Sequence, residues 1–188
     1  MARDCTALAA ASLAAQLERA KFKRPRWLYP TEKGAAPFRY YGLDCFVGLS
    51  PAAPNGGTAV VIAIDLFTKW LEYCILAHLD SYHVAQFIHE YIVCRYGVPT
   101  RIRVDRGSEF KGEVVRYCKS MGITISTIAT QNPRANGMAE RMVATVKAAL
   151  RRCMSACPDQ WWWEALPDVA RGIRMLPAKA TGLSPFIL

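Results

Sequence analysis

The chain has 188 residues, of which 52% are hydrophobic, and its 24 Lys and Arg against 15 Asp and Glu give a formal net charge of +9. This apolar content excludes an intrinsically disordered chain and is enough for the core of one sizeable domain, with or without a small appendage. The positive charge favours a polyanionic partner, nucleic acid first, although a merely soluble basic protein is the alternative.

Residues 1–38 differ in composition from the rest of the chain. The alanine-rich run "DCTALAAASLAAQLERA" predicts a helix with Asp4 as a possible N-cap, and "KFKRPRW" predicts a basic linker. Asp4 argues against a targeting peptide, and the run is too short to span a membrane, so no membrane partner is expected. We therefore predict an N-terminal helix and linker over 1–38 and a catalytic-type domain over 39–188.

From residue 39 the pattern predicts an α/β domain. Five strands are indicated, in chain order "YYGLDCFVGL", "TAVVIAID", "WLEYCIL", "TRIRVD" and "ITIST". A helix over "SYHVAQFIHEYIVCRYG" stands between the third and fourth strands, with Asp80 or Ser81 before it and Gly97 as its stop. A short helix ends at Gly122, and a long one runs from about Met138 to Cys153.

The long helix has two contrasting faces. At 100° per residue, one face carries Met142, Val146, Ala149 and Cys153 and should pack on the sheet, and the opposite face carries Glu140, Ala144, Lys147 and Arg151. A carboxylate in line with two cations is most often an ordinary solvated face. Here, however, it competes with a functional interpretation, because two aspartates, Asp44 and Asp105, stand on or at the end of predicted strands.

Three carboxylates on such elements suit one kind of chemistry. Cleavage of a phosphodiester requires stabilisation of charge on the attacking and leaving oxygens, which two divalent metal ions about 4 Å apart provide. Mg²⁺ prefers oxygen ligands and retains several waters, so three carboxylates are enough. Asp44, Asp105 and Glu140 form a candidate set. For Asp105, which ends the apolar run of its strand, capping of the next turn is the alternative role.

Four sequence stretches in order, "GLDCFVGLSP", "VIAIDLFTKWLE", "RYGVPTRIRVDRGSEF" and "NPRANGMAERMVATVKAAL", resemble the catalytic core of retroviral and retrotransposon integrases, in style nearest to the Ty3/gypsy class. The resemblance implies a ribonuclease H-like fold, in which a five-stranded mixed sheet is flanked by helices. It also implies a catalytic triad of Asp44, Asp105 and Glu140 that binds two Mg²⁺ or Mn²⁺ ions.

The implied activity is metal-dependent DNA end processing and strand transfer, which together integrate a retrotransposon into DNA. The implied partners are the element's DNA ends, target DNA and further copies of the chain in a homodimer or larger assembly. The implied location is the nucleus, or a particle before integration. The residues expected to bind DNA are Arg134, Asn136, Arg141, Lys147 and Arg151.

Two further acidic residues belong to the same motifs. Asp65 is read as a structural turn residue and Glu109 as a residue that starts the next helix, where the helix dipole favours a negative charge. Of the three consecutive tryptophans, Trp161 to Trp163, two are expected to lie in the core or at a dimer interface and one to be partly exposed. Seven scattered cysteines favour reduced thiols in an intracellular protein.

Some residues depart from the family pattern. Glu140 follows Asp105 by 35 positions, one fewer than expected, Val143 replaces a usually polar residue, and Arg174 stands where Asn is frequent. The zinc-binding and C-terminal domains of integrases are expected to be absent from this product. These departures support an alternative, a decayed or domesticated integrase-derived domain that binds nucleic acid or a protein partner without useful catalysis. A ribonuclease H proper fits the fold but not the motifs.

Overall fold

Five strands form one mixed sheet, and each lies where the sequence predicts a strand. They are β1 (Tyr40–Phe46), β2 (Ala59–Asp65), β3 (Leu71–Leu76), β4 (Arg101–Val104) and β5 (Thr124–Thr127). The order across the sheet is β3-β2-β1-β4-β5. β1 pairs antiparallel with β2 and parallel with β4, so the centre of the sheet joins an antiparallel half to a parallel half. Every residue of β2 is buried, as its continuous apolar run predicts.

The computed structural model describes residues 36–127, 137–157, 159–178 and 182–188. These residues belong to the compact unit Glu32–Leu188. The predicted N-terminal helix and basic linker, and two residues expected to bind DNA, Arg134 and Asn136, lie outside the described residues. The boundary predicted at residue 38 therefore stays a prediction.

Within the described residues, four helices and a short 3₁₀ turn (Ser108–Phe110) accompany the sheet. α1 begins as an α-helix at Ser81–Phe87, continues through a π-helical segment at Ile88–Val93 and ends in a short turn at Cys94–Tyr96. The others are α2 (Gly112–Ser120), α3 (Gly137–Ala156) and α4 (Trp162–Met175).

The predicted start and end of α1 are confirmed. The Asp80 carboxylate caps the helix by accepting a hydrogen bond from the His83 N–H at 2.9 Å, and Gly97 follows the last turn at φ +84°. The π-helical segment is a feature that the regular apolar spacing of this stretch does not predict.

Two apolar cores lie on opposite faces of the sheet. α1 and α2 cover one face, with Tyr41 and Leu43 of β1 in that core. α3 and α4 cover the other face through Val143, Val146 and Leu150 of α3, among others. The predicted packing face of α3 is confirmed, since Met142, Ala149 and Cys153 also contact this second core. Val143 is a core residue in this fold, which explains why a side chain without polar atoms is stable there.

Asp65 has the structural role that the sequence predicts. Its side chain is fully buried, and Oδ2 accepts hydrogen bonds from the N–H and the hydroxyl of Thr68, both at 2.7 Å. These bonds close the turn between β2 and β3.

The three tryptophans divide as expected. Trp162 is buried, Trp163 is half-buried and Trp161 is half exposed. The Trp162 indole N–H donates a hydrogen bond to the Pro51 carbonyl at 2.7 Å, which ties the start of α4 to the loop after β1. In the part of the chain that the structure describes, no helix combines the length and apolar character needed to cross a membrane.

Candidate metal and nucleic-acid site

Asp44 lies in β1, and Asp105 directly follows β4, the parallel strand beside β1. β1 and β4 pair with Tyr40 opposite Arg101 and Gly42 opposite Arg103. The same offset, continued for two residues, brings Asp44 opposite Asp105, and side chains two residues apart point to the same face of a sheet. Because Leu43 faces the α1 side, Asp44 faces α3. The two carboxylates thus lie on the same face of the sheet, at the same end of the parallel pair β1 and β4.

The start of α3, which carries Glu140, lies on this face of the sheet and approaches β1 closely at Gly42. A Cβ atom built on Gly42 would lie 3.3 Å from the Cβ of Ala139, the residue before Glu140. Ala139 is buried against Ile64 and Leu66 of the same region. Glu140 itself is exposed in the first turn of α3, where the positive end of the helix dipole favours a carboxylate.

The pKa of Asp44 shows that these charges act on one another. The pKa of Asp44 is raised to about 6, chiefly by burial and further by the negative charges of Asp105 and Glu140, while two stabilising groups lower it. One is the Cys45 N–H, which donates a hydrogen bond to Oδ1 at 2.8 Å, and the other is the ammonium of Lys147. A site where carboxylates repel one another favours a bound cation.

Asp105 begins a tight turn at the end of β4. Its Oδ1 accepts a hydrogen bond from the Gly107 N–H at 2.8 Å, so the capping role considered for this residue is present. The carboxylate has a second oxygen, Oδ2, and a ligating role is compatible with the cap. Glu109 lies in the short 3₁₀ turn Ser108–Phe110, one turn before α2, rather than in the first turn of that helix.

The basic residues of α3 differ in exposure. The Lys147 ammonium lies 5.1 Å from the centroid of the Phe46 ring, at the end of β1, which is a cation–π distance. Lys147 is consequently half-buried beside Asp44, whereas Arg141 and Arg151 are exposed. Of the basic residues on α3, Lys147 acts on the predicted triad, because its positive charge lowers the pKa of Asp44.

The family model described as "Integrase core domain" matches residues 36–133, more than half of the chain. The chain belongs to the integrase core family. The matched range includes Asp44 and Asp105 and ends before Glu140.

Several curated relatives of this integrase core are retroviral polyproteins. It is 29% identical over 150 residues to the Gag-Pol polyprotein of Walleye dermal sarcoma virus, an alignment covering 79% of this chain and 8% of the relative. It is 26% identical over 156 residues to the Gag-Pol polyprotein of Avian reticuloendotheliosis virus, covering 82% of this chain and 13% of the relative. The chain thus spans about a tenth of the length of these polyproteins.

Solved structures share the fold. The simian T-cell lymphotropic virus intasome in complex with PP2A regulatory subunit B56 gamma has a chain that matches with a TM-score of 0.74 at 18% identity, covering 90% of this chain and 59% of that one. The HTLV-2 integrase catalytic core domain in complex with magnesium, in its trimeric form, matches with a TM-score of 0.65 at 18% identity, covering 82% and 97%. The predicted ribonuclease H-like fold is confirmed.

The carboxylate oxygens of Asp44, Asp105 and Glu140 fit a hard divalent cation, which prefers oxygen ligands. The mutual repulsion at Asp44 supports the same fit. Within residues 36–127, 137–157, 159–178 and 182–188, however, no three His, Cys, Asp or Glu side chains are grouped closely enough to hold a metal ion. The carboxylates therefore interact through their charges without forming a ready-made ligand cluster, and binding an ion would require their side chains to converge.

Two residues that build this site do not carry its chemistry and were not singled out from the sequence. Gly42 allows the approach of α3, and Phe46 provides the surface on which Lys147 lies. A glycine within a predicted strand is a signal for close backbone approach, so Gly42 was in principle detectable. No sequence signal connects Phe46 with Lys147, which is 101 residues away (147 − 46).

Proposed function

We propose that this chain is the catalytic core of an integrase that processes DNA ends and transfers them into target DNA, with Asp44, Asp105 and Glu140 as the catalytic carboxylates. The observation that supports this best is the shared level of Asp44 and Asp105, together with the effect of the Asp105 and Glu140 charges on Asp44. No other described carboxylate pair combines neighbouring parallel strands with a helix that starts beside them.

In this proposal each side chain has a distinct task. Asp44 and Asp105, on adjacent strands, would hold Mg²⁺ or Mn²⁺ from the sheet, and Glu140 would hold it from α3. Two such ions, when bound, stabilise charge on the attacking and leaving oxygens of a phosphodiester. Arg141 and Arg151 are exposed on α3 and would contact DNA phosphates, while Lys147 would hold a phosphate close to Asp44.

The class of element and the partners are part of the proposal. The sequence motifs favour a Ty3/gypsy-type retrotransposon, whereas the curated relatives reported above are retroviral, so either origin is compatible with the family. We propose DNA as the substrate and self-association through the core, with action in the nucleus. An intasome and a trimeric core are among the structures with this fold.

A second function is favoured by specific observations. A domain that binds DNA or a protein partner without useful catalysis would explain the short spacing between Asp105 and Glu140 and the absence, in the described residues, of a preformed ligand cluster. The buried position of Val143 removes one argument for decay, because this residue serves the core.

The deciding experiment uses the 188-residue chain with branched DNA that mimics an integration product. The resemblance to integrase cores implies the reversal of strand transfer as the activity to measure. We expect a product in Mn²⁺, none in EDTA, and none with Glu140→Gln in Mn²⁺, because α3 then supplies no carboxylate to the site. Glu90→Gln, an exposed glutamate on α1, is the matched control and should retain activity.

Calorimetry separates metal binding from turnover. We expect Mn²⁺ binding by the wild type and strongly weakened binding by Asp105→Asn, because the amide lacks the charge that a hard cation requires. A folded wild type that forms no product in Mn²⁺, and behaves like Glu140→Gln, would refute the enzyme and leave the binding domain as the function.

A further inference from the structure

A cavity of about 410 Å³ lies along the outer edge of the sheet, away from the predicted triad. It borders β3, the strand at one end of the order β3-β2-β1-β4-β5, so two strand spacings separate it from β1. Its walls include Tyr73 and Ile75 of β3, Tyr91 and Arg95 of α1, and Arg174 of α4.

The backbone of β3 is rich in hydrogen-bond donors on this edge. Leu71, Tyr73 and Ile75 alternate with the residues that bond to β2, so their N–H and C=O groups point outward. The Leu71 carbonyl accepts from Arg174 Nε at 2.8 Å, and the Ile75 carbonyl accepts from Asn55 Nδ2 at 3.2 Å. The outward N–H groups are those of Leu71, Tyr73 and Ile75. The outward carbonyl of Tyr73 accepts no hydrogen bond from Arg174 or Asn55.

The charged groups of the cavity also present donors. Glu72 is 3% exposed, and its carboxylate accepts hydrogen bonds from Trp70, Tyr96, Arg95 and Arg174. Its oxygens are thus fully occupied by these four groups. Arg174 also lies 4.6 Å above the Trp70 ring, which holds it in place.

Arg95 is the cation that faces the cavity with most of its donors unused. Its side chain is 48% exposed, and Nη1 contacts Glu72 Oε2 at 3.3 Å, the oxygen that Arg174 contacts at 3.1 Å. A guanidinium has five N–H donors, and in the described part of the chain this contact is the one hydrogen bond that Arg95 makes. The Tyr91 ring supports the guanidinium from below at 4.4 Å.

Two acidic residues affect the rim but do not line the cavity. The charge of Glu90 raises the pKa of Cys74, and that of Asp168 raises the pKa of Tyr73, in both cases after the larger effect of burial. Both carboxylates are exposed, so solvent screens them. The cavity walls themselves carry two guanidinium groups and one carboxylate.

We propose that this edge of β3 binds a short extended peptide segment of a partner protein, with an acidic side chain directed at Arg95. The N–H and C=O of Tyr73 would pair with one residue of that segment, as in the addition of a strand to a sheet edge. The caps at Leu71 and Ile75 limit the pairing to this residue and disfavour extension of the sheet by a long strand. This interaction is independent of the proposed enzymatic function.

The probe is a blocked five-residue peptide of alternating Val and Thr with Glu at its centre, titrated into the ¹⁵N-labelled 188-residue chain. We expect shifts of the Leu71, Tyr73 and Ile75 amide resonances, and weaker binding, by about tenfold, when the central Glu is replaced by Gln. Methylation of the backbone nitrogen of the central peptide residue should abolish binding, because it removes the donor to the Tyr73 carbonyl.

The key variant is Arg95→Gln, which should weaken the Glu peptide to the level of the Gln peptide. Arg116→Gln is the matched control, since Arg116 is an exposed arginine on α2 that pairs with Glu113 at 2.7 Å. Unchanged amide resonances outside the cavity establish that Arg95→Gln is folded. If this variant still retains full affinity, or if the Gln peptide binds as well as the Glu peptide, the proposal is wrong. A DNA duplex that shifts these amides when the peptide does not would also overturn it.

Discussion

At the scale of single residues, the most consequential charge is that of Asp44. Its neighbours oppose one another, because Asp105 and Glu140 disfavour the ionised form while Lys147 and the Cys45 N–H favour it. Burial adds to the first group, so the folded protein holds the proton of Asp44 more tightly than the unfolded chain does. The folded state therefore loses stability when this proton leaves.

This electrostatic conflict predicts a pH-dependent effect of Asp44→Asn. The pKa of Asp44 is raised from 3.8 to about 6, so its cost to folding is absent below pH 3.8, grows as pH rises towards 6 and is complete above that. We expect Asp44→Asn to raise the Tm at pH 8 in EDTA and to leave it nearly unchanged at pH 3.5. Asp159→Asn, at an exposed position, is the control. Equal Tm shifts at both pH values would contradict this account.

Glu72 is the opposite case, a buried carboxylate whose charge is well compensated. It joins β3 to α1 through Arg95 and Tyr96 and to α4 through Arg174. Glu72→Gln should lower the free energy of unfolding by about 2 kcal/mol, because the buried side chain then loses its charge-assisted hydrogen bonds with Arg95 and Arg174, whose own side chains are partly exposed. Urea denaturation measures this loss. Glu113→Gln, which breaks an exposed pair with Arg116, should cost less than about 1 kcal/mol.

At the scale of elements, the position of α3 against β1 decides whether Glu140 can act with the aspartates. The contact is tight, because a Cβ on Gly42 would meet the Ala139 Cβ at 3.3 Å and a Leu66 methyl group at 3.5 Å. Further along α3, Val143, Val146 and Leu150 hold the helix on the sheet. A side chain at residue 42 would therefore push the first turn of α3 outward while the rest stays packed.

Gly42→Ala should consequently impair activity more than folding. We expect metal-dependent reversal of strand transfer to fall by about tenfold to a hundredfold, because a displacement of a fraction of an ångström misplaces a catalytic group. The branched-DNA assay and thermal unfolding, measured in parallel, test this split. Gly172→Ala in α4, where a Cβ meets no atom within 4 Å, should leave activity unchanged. Full activity in Gly42→Ala would show that Glu140 does not depend on this contact.

At the scale of the whole molecule, the net charge of +9 is expressed on particular faces. The exposed surface of α3 carries Arg141 and Arg151 on the side of the sheet that holds Asp44, and Lys147 lies between them and the strand. α2, on the other side of the sheet, carries Arg116 and Lys119, which are also exposed. Lys147 and Arg151 on α3 and Arg116 and Lys119 on α2 therefore form two pairs of cations that can be compared on opposite sides of the sheet.

This arrangement predicts which cations bind DNA. Replacing Lys147 and Arg151 by Ala should reduce the slope of log K against log salt concentration by about 2, since each phosphate contact contributes about 0.9. The Ala double variant of Arg116 and Lys119 removes the same charge from the opposite side and should change the slope by less. Fluorescence anisotropy with a labelled duplex, over a series of salt concentrations, measures both. Equal slopes for the two double variants would indicate binding through net charge alone.

Sequence alone determined the strands, the caps of α1, the packing face of α3 and the structural role of Asp65, because apolar periodicity and turn chemistry are local properties. It also identified the family, through motifs whose order along the chain is itself specific. The caps fell on Asp80 and Gly97 because their side-chain and backbone requirements are met within a few residues. The π-helical segment of α1 was not predicted, since the local apolar spacing is that of a regular α-helix.

Only the tertiary structure decided how distant residues act on one another. The position of Asp44 relative to Asp105 depends on the register of β1 and β4. The position of Glu140 relative to β1 depends on the close approach of α3 that Gly42 allows. The hydrogen bonds that Glu72 accepts from Trp70, from α1 and from α4 likewise follow from the packing of β3 against these two helices. These relations join residues far apart in the chain, and the free energy that sets them comes from burial of the whole core, which no local pattern encodes.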